Sequence, residues 1–189
     1  MPSLSPRPSP HSIIQAYVEY LNGLINQTVS DSRLVVIETD DSPKQIITRY
    51  QAGQLLPLRL RPSGWLYFQQ LVQPIGRKVN VLSATYKFSF ADDPDDEERQ
   101  IFRYEYEREP TVENRPQSHL HVNAVHAATG VHFGRVHFPT GRLCVEHILA
   151  ALILEFGIES RGPDPIALLR ESYRGWLERR TDLKDPTFP

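Results

Sequence analysis

The chain has 189 residues, of which 40% are hydrophobic and 23% charged, close to the average for globular proteins. This length suits one domain, and this composition excludes a chain that is disordered throughout. The net charge of −2 at pH 7 provides no overall basic field that would point to nucleic acid. The single cysteine, Cys144, excludes an internal disulfide and a cysteine-rich zinc site.

The sequence also indicates where the protein resides. No apolar run approaches the roughly 18 residues that a membrane helix needs. The N-terminal segment has no apolar stretch behind Arg7, which argues against a secretory signal. Together with the lone cysteine, these features predict a cytoplasmic protein with no membrane partner.

The first predicted element is a helix that follows a tail. Residues 1–10 contain four prolines and three serines, a composition typical of a flexible tail. Apolar residues then recur at helical spacing over residues 11–27. Ser9 can cap this helix, and Pro10 suits its first turn.

Strands are predicted through the middle of the chain. Alternating apolar and polar residues, β-branched runs and intervening turn residues predict strands over 33–39, 44–51, 55–60, 65–72, 79–90, 100–108, 119–125 and 131–138. The fourth of these segments could also be a short helix. The clearest hairpin joins 79–90 to 100–108, and Gly130 marks the turn between the last two segments. The side chains expected on the buried face of that hairpin are Leu82, Ala84, Tyr86, Phe88, Phe90, Phe102, Tyr104 and Tyr106.

The loop of this hairpin is strongly acidic. Residues 91–110 contain three Lys/Arg and nine Asp/Glu, and the acidic run is Asp92–Glu98. Such a run is typical of a solvated loop. The alternative is a contact point for a basic partner.

Two helices are predicted after the strands. Apolar residues form a complete stripe along Val145–Phe156, and Gly157 is a natural C-terminal cap. Asp164 and Pro165 begin the last helix.

The order of the elements predicts the architecture. Strands in the middle and helices at both ends favour an α+β fold, in which a central antiparallel sheet carries the helices. We expect residues 11–180 to form a single domain and residues 181–189 to form a C-terminal tail.

The histidines are the strongest functional signal. Six of the seven lie between His119 and His147, within 29 residues. His119 and His121 are two residues apart on a predicted strand, so their side chains point to the same face. We expect them to share a cleft with Arg103, and with His137 from a neighbouring strand.

Three interpretations of the histidines compete. Each could be an ordinary strand or loop residue with satisfied hydrogen bonds. In an acid–base site, one imidazole would take a proton from a 2′-hydroxyl and another would protonate the leaving oxygen, with an arginine on the phosphate and no metal. In a metal site, His119 and His121 would supply two ligands, and His126 or His132 a third. No carboxylate follows His121 for 24 residues, until Glu146, which weakens the metal interpretation.

Other candidate residues flank the histidines. Arg103 could bind a phosphate, and Tyr104 or Tyr106 could stack on a base or donate a proton, although a half-buried aromatic strand would look the same. Cys144 and His147, one helical turn apart, could form a nucleophile pair, but a small helix residue is the simpler interpretation of Cys144. The sequence has no glycine-rich phosphate loop, HExxH or G-x-S-x-G motif.

One family has a similar order of motifs. An Arg-Tyr-acidic motif at residues 103–105, a His-x-His motif at 119–121 and a terminal amphipathic helix over 145–156 resemble the TumE-type toxins of bacterial toxin–antitoxin modules. The resemblance covers roughly residues 79–157. It implies a translation- or RNA-directed toxin that is held by an antitoxin-like protein partner.

These observations lead to one expected function and two alternatives. We expect a toxin-like bacterial protein that acts on RNA or translation, as a metal-independent ribonuclease without a cofactor. Its candidate catalytic residues are His119, His121, Arg103, Tyr104 and His137. One alternative is a non-enzymatic module that binds a protein through the hairpin or the sheet edge. The other is a small metal protein whose ligands are His119, His121 and His126.

Overall fold

The computed structural model describes residues 9–41, 43–90, 99–111, 116–125, 128–130, 132 and 136–179. Residues 1–8 and 181–189 of the expected tails and the acidic loop Asp92–Glu98 lie outside these ranges. The described residues form three helices and nine strands. Their bounds are α1 (Pro10–Thr28), β1 (Val35–Glu38), β2 (Gln45–Gln51), β3 (Gln54–Leu56), β4 (Leu58–Arg59), β5 (Trp65–Ile75), β6 (Lys78–Ser89), β7 (Gln100–Glu107), β8 (Ser118–Val122), β9 (Phe138–Pro139), α2 (Val145–Leu154) and α3 (Pro165–Arg179).

All nine strands belong to one antiparallel sheet. Their spatial order is β1-β2-β5-β6-β7-β8-β9, with β3 paired to β2 and β4 paired to β5. The clearest predicted hairpin is present as β6 and β7. Helix α1 precedes the sheet and α2 and α3 follow it, so the predicted α+β class is confirmed.

Alternation along the central strands creates an apolar face. Ala84, Tyr86 and Phe88 of β6 are buried, as are the three aromatic residues predicted on the return strand β7. Two predicted members of this face are placed differently. Leu82 is the extra residue of a bulge, because Leu71 pairs with Ser83 whereas Val72 pairs with Val81. Phe90 follows the end of β6 and is 41% exposed.

Helices α1 and α2 pack against this apolar face, and α3 packs against α2 and α1. The Ser9 hydroxyl accepts a hydrogen bond from the Ser12 backbone at 3.2 Å, which caps α1 as predicted and shortens the expected tail. Leu149 and Leu152 of α2 are fully buried, and the Phe156 ring lies 5.0 Å from that of Phe88. These contacts confirm the predicted apolar stripe.

A polar chain crosses the same core. The Tyr17 hydroxyl of α1 donates to Gln70 Oε1 of β5 at 3.1 Å, and Gln70 Nε2 donates to the Tyr86 hydroxyl at 2.6 Å. Buried polar atoms need such partners, so the chain holds α1 in register with the sheet.

Two predicted segments differ in the structure. Residues 65–72 belong to strand β5, not to a helix, and the strand runs past Pro74 to a turn at Gly76. Among the described residues of the strand predicted over 131–138, Phe138 belongs to the two-residue strand β9 and His132 forms an isolated bridge with Val125, whereas residues 131 and 133–135 lie outside the described ranges. Among the described residues, no helix has the length and apolar character needed to cross a membrane.

Candidate metal centre

The face of the sheet that points away from the helices carries the candidate site. Tyr104 of β7 pairs with Leu120 of β8 on the helix-covered side. Arg103 therefore pairs with His121, and Glu105 with His119, on the opposite side. The prediction that the two histidines share a face with Arg103 is confirmed.

Three imidazoles meet on this face. Pairing of His119 with Pro139 and of Leu120 with Phe138 brings the residue before β9, His137, beside His121. One ring nitrogen each of His119, His121 and His137 lies within 4.8 Å of the other two. Ring centres are 5.1 Å apart for His119 and His121, 4.8 Å for His119 and His137, and 4.3 Å for His121 and His137. We call these three residues the histidine cluster.

The members of the cluster differ in exposure. His119 is 1% exposed and His121 is 4% exposed, whereas His137 is exposed to solvent. Access from solvent to the cluster is therefore on the His137 side.

A carboxylate adjoins the cluster. Glu105 Oε2 lies 2.9 Å from His119 Nε2 and 3.5 Å from His121 Nε2. On the other side of the His119 ring, Nδ1 lies 3.3 Å from the Pro116 carbonyl oxygen. Contact of Nδ1 with a carbonyl orients the ring, so that Nε2 points toward Glu105 and the neighbouring imidazoles.

Arg103 completes the surroundings of the cluster. Its Nη2 lies 3.4 Å from His121 Nε2, and its Nε lies 3.4 Å from Glu105 Oε1. Arg103 is thus where the sequence predicted it, beside the histidine pair and between the carboxylate and the edge of the cluster.

One predicted site residue lies away from the cluster, and another lies outside the described residues. Tyr104 lies on the helix-covered face, where it is fully buried and its hydroxyl accepts a hydrogen bond from Leu143 N at 2.9 Å. Burial raises the pKa of Tyr104. The catalytic role predicted for Tyr104 stays a prediction, and its position on the helix-covered face does not favour it. His126 lies outside the described residues, and His137 provides the third imidazole.

Glu105 is the site residue that the sequence pattern did not reveal. The carboxylate beside the histidines comes from the preceding strand, not from the chain downstream of His121. Strand alternation could have indicated Glu105 as a site residue, because it is two residues from Arg103 and shares its face.

The pair Cys144 and His147 lies at the start of α2, among the helices. Cys144 Sγ is 3.0 Å from His147 Nδ1, but the thiol is buried and burial, reinforced by Glu146, raises the pKa of Cys144. A thiol with a raised pKa is a poor nucleophile, so these contacts favour the interpretation of Cys144 as a structural helix residue.

The geometry of the cluster suits a transition metal. Imidazole nitrogens bind zinc at about 2.0–2.1 Å, which in tetrahedral geometry separates them by about 3.3 Å. Nitrogens within 4.8 Å of one another would have to approach by up to about 1.5 Å to reach that spacing. Three protein ligands around an accessible position are typical of a catalytic rather than a structural zinc site.

Comparisons with family models, with curated proteins and with solved structures found no match to this chain. The resemblance to TumE-type toxins, and the antitoxin and RNA partners that it implies, therefore stay predictions.

Proposed function

We propose that this protein is a metal-dependent hydrolase that binds one divalent transition-metal ion through His119, His121 and His137. The observation that supports the proposal is the convergence of three ring nitrogens within 4.8 Å. Imidazole ligands suit zinc, copper, iron and nickel, and zinc is the ion with which we would begin.

Glu105 has two roles in this proposal. Its negative charge offsets part of the charge of the ion. Its Oε2, 2.9 Å from His119 Nε2, would give up that contact when Nε2 binds the ion and could then accept a proton from a water held beside it. A bound ion would lower the pKa of such a water toward neutrality and so would supply a nucleophile at neutral pH.

Metal titration tests the proposal directly. Chain stripped with a chelator should bind one zinc ion in calorimetry, and cobalt in its place should give the visible spectrum of a tetrahedral site. His121→Ala and His137→Ala should each abolish binding. His11→Ala removes an exposed histidine from the first turn of α1 and serves as the matched control. Equal zinc binding by His11→Ala and His121→Ala would refute the site.

Glu105→Gln separates binding from catalysis. The substitution keeps the shape of the side chain, so the ion should still bind. Its affinity should fall by about 10–100-fold, the usual loss when a residue that hydrogen-bonds to a metal ligand is changed. Hydrolysis should fall much further, because the amide cannot accept the proton. A variant that retains full activity would remove Glu105 from the proposed mechanism.

A second candidate is metal-independent cleavage of RNA by His119 and His121. It is favoured by one contact, Arg103 Nη2 at 3.4 Å from His121 Nε2, because an arginine beside a histidine pair can neutralise a phosphate. Chelation distinguishes the candidates. A chelator abolishes the activity of the metal-dependent enzyme and leaves the acid–base enzyme unaffected.

A further inference from the structure

Two cations face each other beside the histidine cluster. Lys87 of β6 pairs directly with Arg103 of β7, and Arg103 pairs directly with His121 of β8. Directly opposed residues of an antiparallel pair point to the same face, with Cβ atoms about 4.5–5.5 Å apart. Like charges in that position destabilise a sheet. This stretch of sheet therefore carries an electrostatic penalty next to the candidate site.

Local contacts offset the penalty only in part. Glu105 lies near Arg103, with Oε1 3.4 Å from Arg103 Nε, but that Nε has no hydrogen-bond partner. Lys87 Nζ lies 5.3 Å from the centre of the Tyr67 ring, a cation–π contact that positions the ammonium without neutralising it. Across the described residues, no carboxylate forms an ion pair with Lys87.

We propose that Lys87 and Arg103 together bind the phosphoryl group of a phosphate-ester substrate. The proposal names the substrate class of the hydrolase proposed above and rests on that function for its catalytic part. A tetrahedral oxyanion can bridge two cations on adjacent strands, and a guanidinium binds phosphate oxygens in pairs. Both cations are reachable, since the Arg103 side chain is 31% exposed and Lys87 is half-buried.

The arrangement also connects binding to reaction. A phosphoryl group held by Arg103 lies against the cluster, because Arg103 Nη2 is 3.4 Å from His121 Nε2. Hydrolysis there would form a bond from the water oxygen to phosphorus and break the bond from phosphorus to the ester oxygen. The proton that Glu105 took from the water passes to the departing alkoxide, so that water and ester give an alcohol and a phosphate.

Phosphate binding can be measured without the metal. The probe is inorganic phosphate, titrated into chelator-treated chain and followed by calorimetry or by 31P NMR. Lys87→Gln and Arg103→Gln should each weaken binding by about 10- to 100-fold, the range expected when a hydrogen bond to a charged group is lost. Lys78→Gln, an exposed lysine on the same strand, makes the same change in charge and should bind phosphate as the original chain does. Acetate should bind more weakly, because a carboxylate has fewer oxygens to share between two cations.

Thermal unfolding provides a second measurement. Removing one of two opposed cations relieves repulsion, so Lys87→Gln should unfold at the same or a higher temperature without phosphate. Phosphate should raise the midpoint of the original chain more than that of Lys87→Gln at the same concentration.

The outcomes separate this inference from the proposed function. Loss of phosphate binding in Lys87→Gln and Arg103→Gln supports the inference even if zinc does not bind. Equal phosphate binding by Lys87→Gln, Lys78→Gln and the original chain overturns it, whatever the zinc titration gives. Phosphate that binds only with zinc present, and equally to Lys87→Gln, also overturns it while leaving the metal site intact.

Discussion

Tyr104 and Glu105 are adjacent in the chain and serve opposite faces of the sheet. The Tyr104 hydroxyl accepts a hydrogen bond from the backbone that leads into α2, whereas Glu105 reaches His119. A single step along β7 thus separates a side chain that supports the fold from one that belongs to the candidate site.

Replacing Tyr104 by Phe should therefore change stability and not metal binding. The ring would remain packed against Tyr86, 5.9 Å away, but the Leu143 N–H would lose its acceptor. We expect a loss of about 1–3 kcal/mol in the free energy of unfolding by urea, with zinc affinity unchanged. Tyr50→Phe, at a residue that is 42% exposed, is the control. A large loss of zinc affinity in Tyr104→Phe would mean that Tyr104 contributes to the metal site.

His147 should make stability depend on pH. Burial lowers its pKa below the ordinary value of 6.5. As the pH falls below about 6.5, the unfolded chain gains a proton that the folded chain resists, so stability decreases toward acid. His147→Gln removes this contribution and keeps an acceptor for the Cys144 N–H, so it should lose less stability than the original chain between pH 7 and 5. Unfolding by urea at several pH values measures the difference, with His11→Gln as the control for charge.

The residues of the site were predictable only in part. Parity along β8 places His119 and His121 on one face, and parity along β7 places Arg103 and Glu105 together. Glu105 and His137 depend on register, which determines that Glu105 faces His119 and that His137 lies beside His121. Sequence patterns of strands do not specify which strands pair or in what register, so the contact of Glu105 with His119 was not predicted, and His137 was expected near the pair without the register that brings it there.

Helix α2 shows how burial divides one element into two sides. Leu149 is fully buried against the sheet, whereas Leu154, five residues further on, is 62% exposed. The apolar stripe was predictable because its period matches that of a helix. The end of α2 is also well signalled, since Gly157 adopts a positive φ of 67° that favours glycine.

These two leucines make a matched pair of substitutions. Leu149→Ala should lower the free energy of unfolding by about 2–5 kcal/mol, because it leaves a cavity under the helix. Leu154→Ala removes the same atoms from an exposed position and should change stability by no more than about 0.5 kcal/mol. Equal effects in urea unfolding would mean that α2 does not pack as described.

The long central strands were easier to predict than the edge of the molecule. Strands β5 and β6 pair over eleven positions, and their alternating patterns are visible in the sequence. Strand β9 has two residues and pairs with β8 only through His119 and Leu120. Two residues are too few for a periodic pattern, so the bounds of this edge strand were not predicted, although His137 was expected beside the histidine pair.

Zinc binding should stabilise the pairing of strand β9 with strand β8. If the ion binds only the folded chain, zinc at 100 times its dissociation constant raises the free energy of unfolding by about 2.7 kcal/mol. His121→Ala should show no such increase. Thermal midpoints with and without zinc measure both, and an equal rise in the two proteins would mean that zinc binds elsewhere.

The short pairing of β8 with β9 also has a consequence for rates. Hairpins such as β5–β6 connect residues that are close in the chain and can form early, whereas the two-residue pairing at the edge adds little until the sheet exists. Contacts that are absent from the folding transition state affect unfolding and not folding. Zinc should accordingly slow unfolding in stopped-flow experiments and leave the refolding rate almost unchanged, so that the ion prolongs the lifetime of the folded chain without speeding its formation.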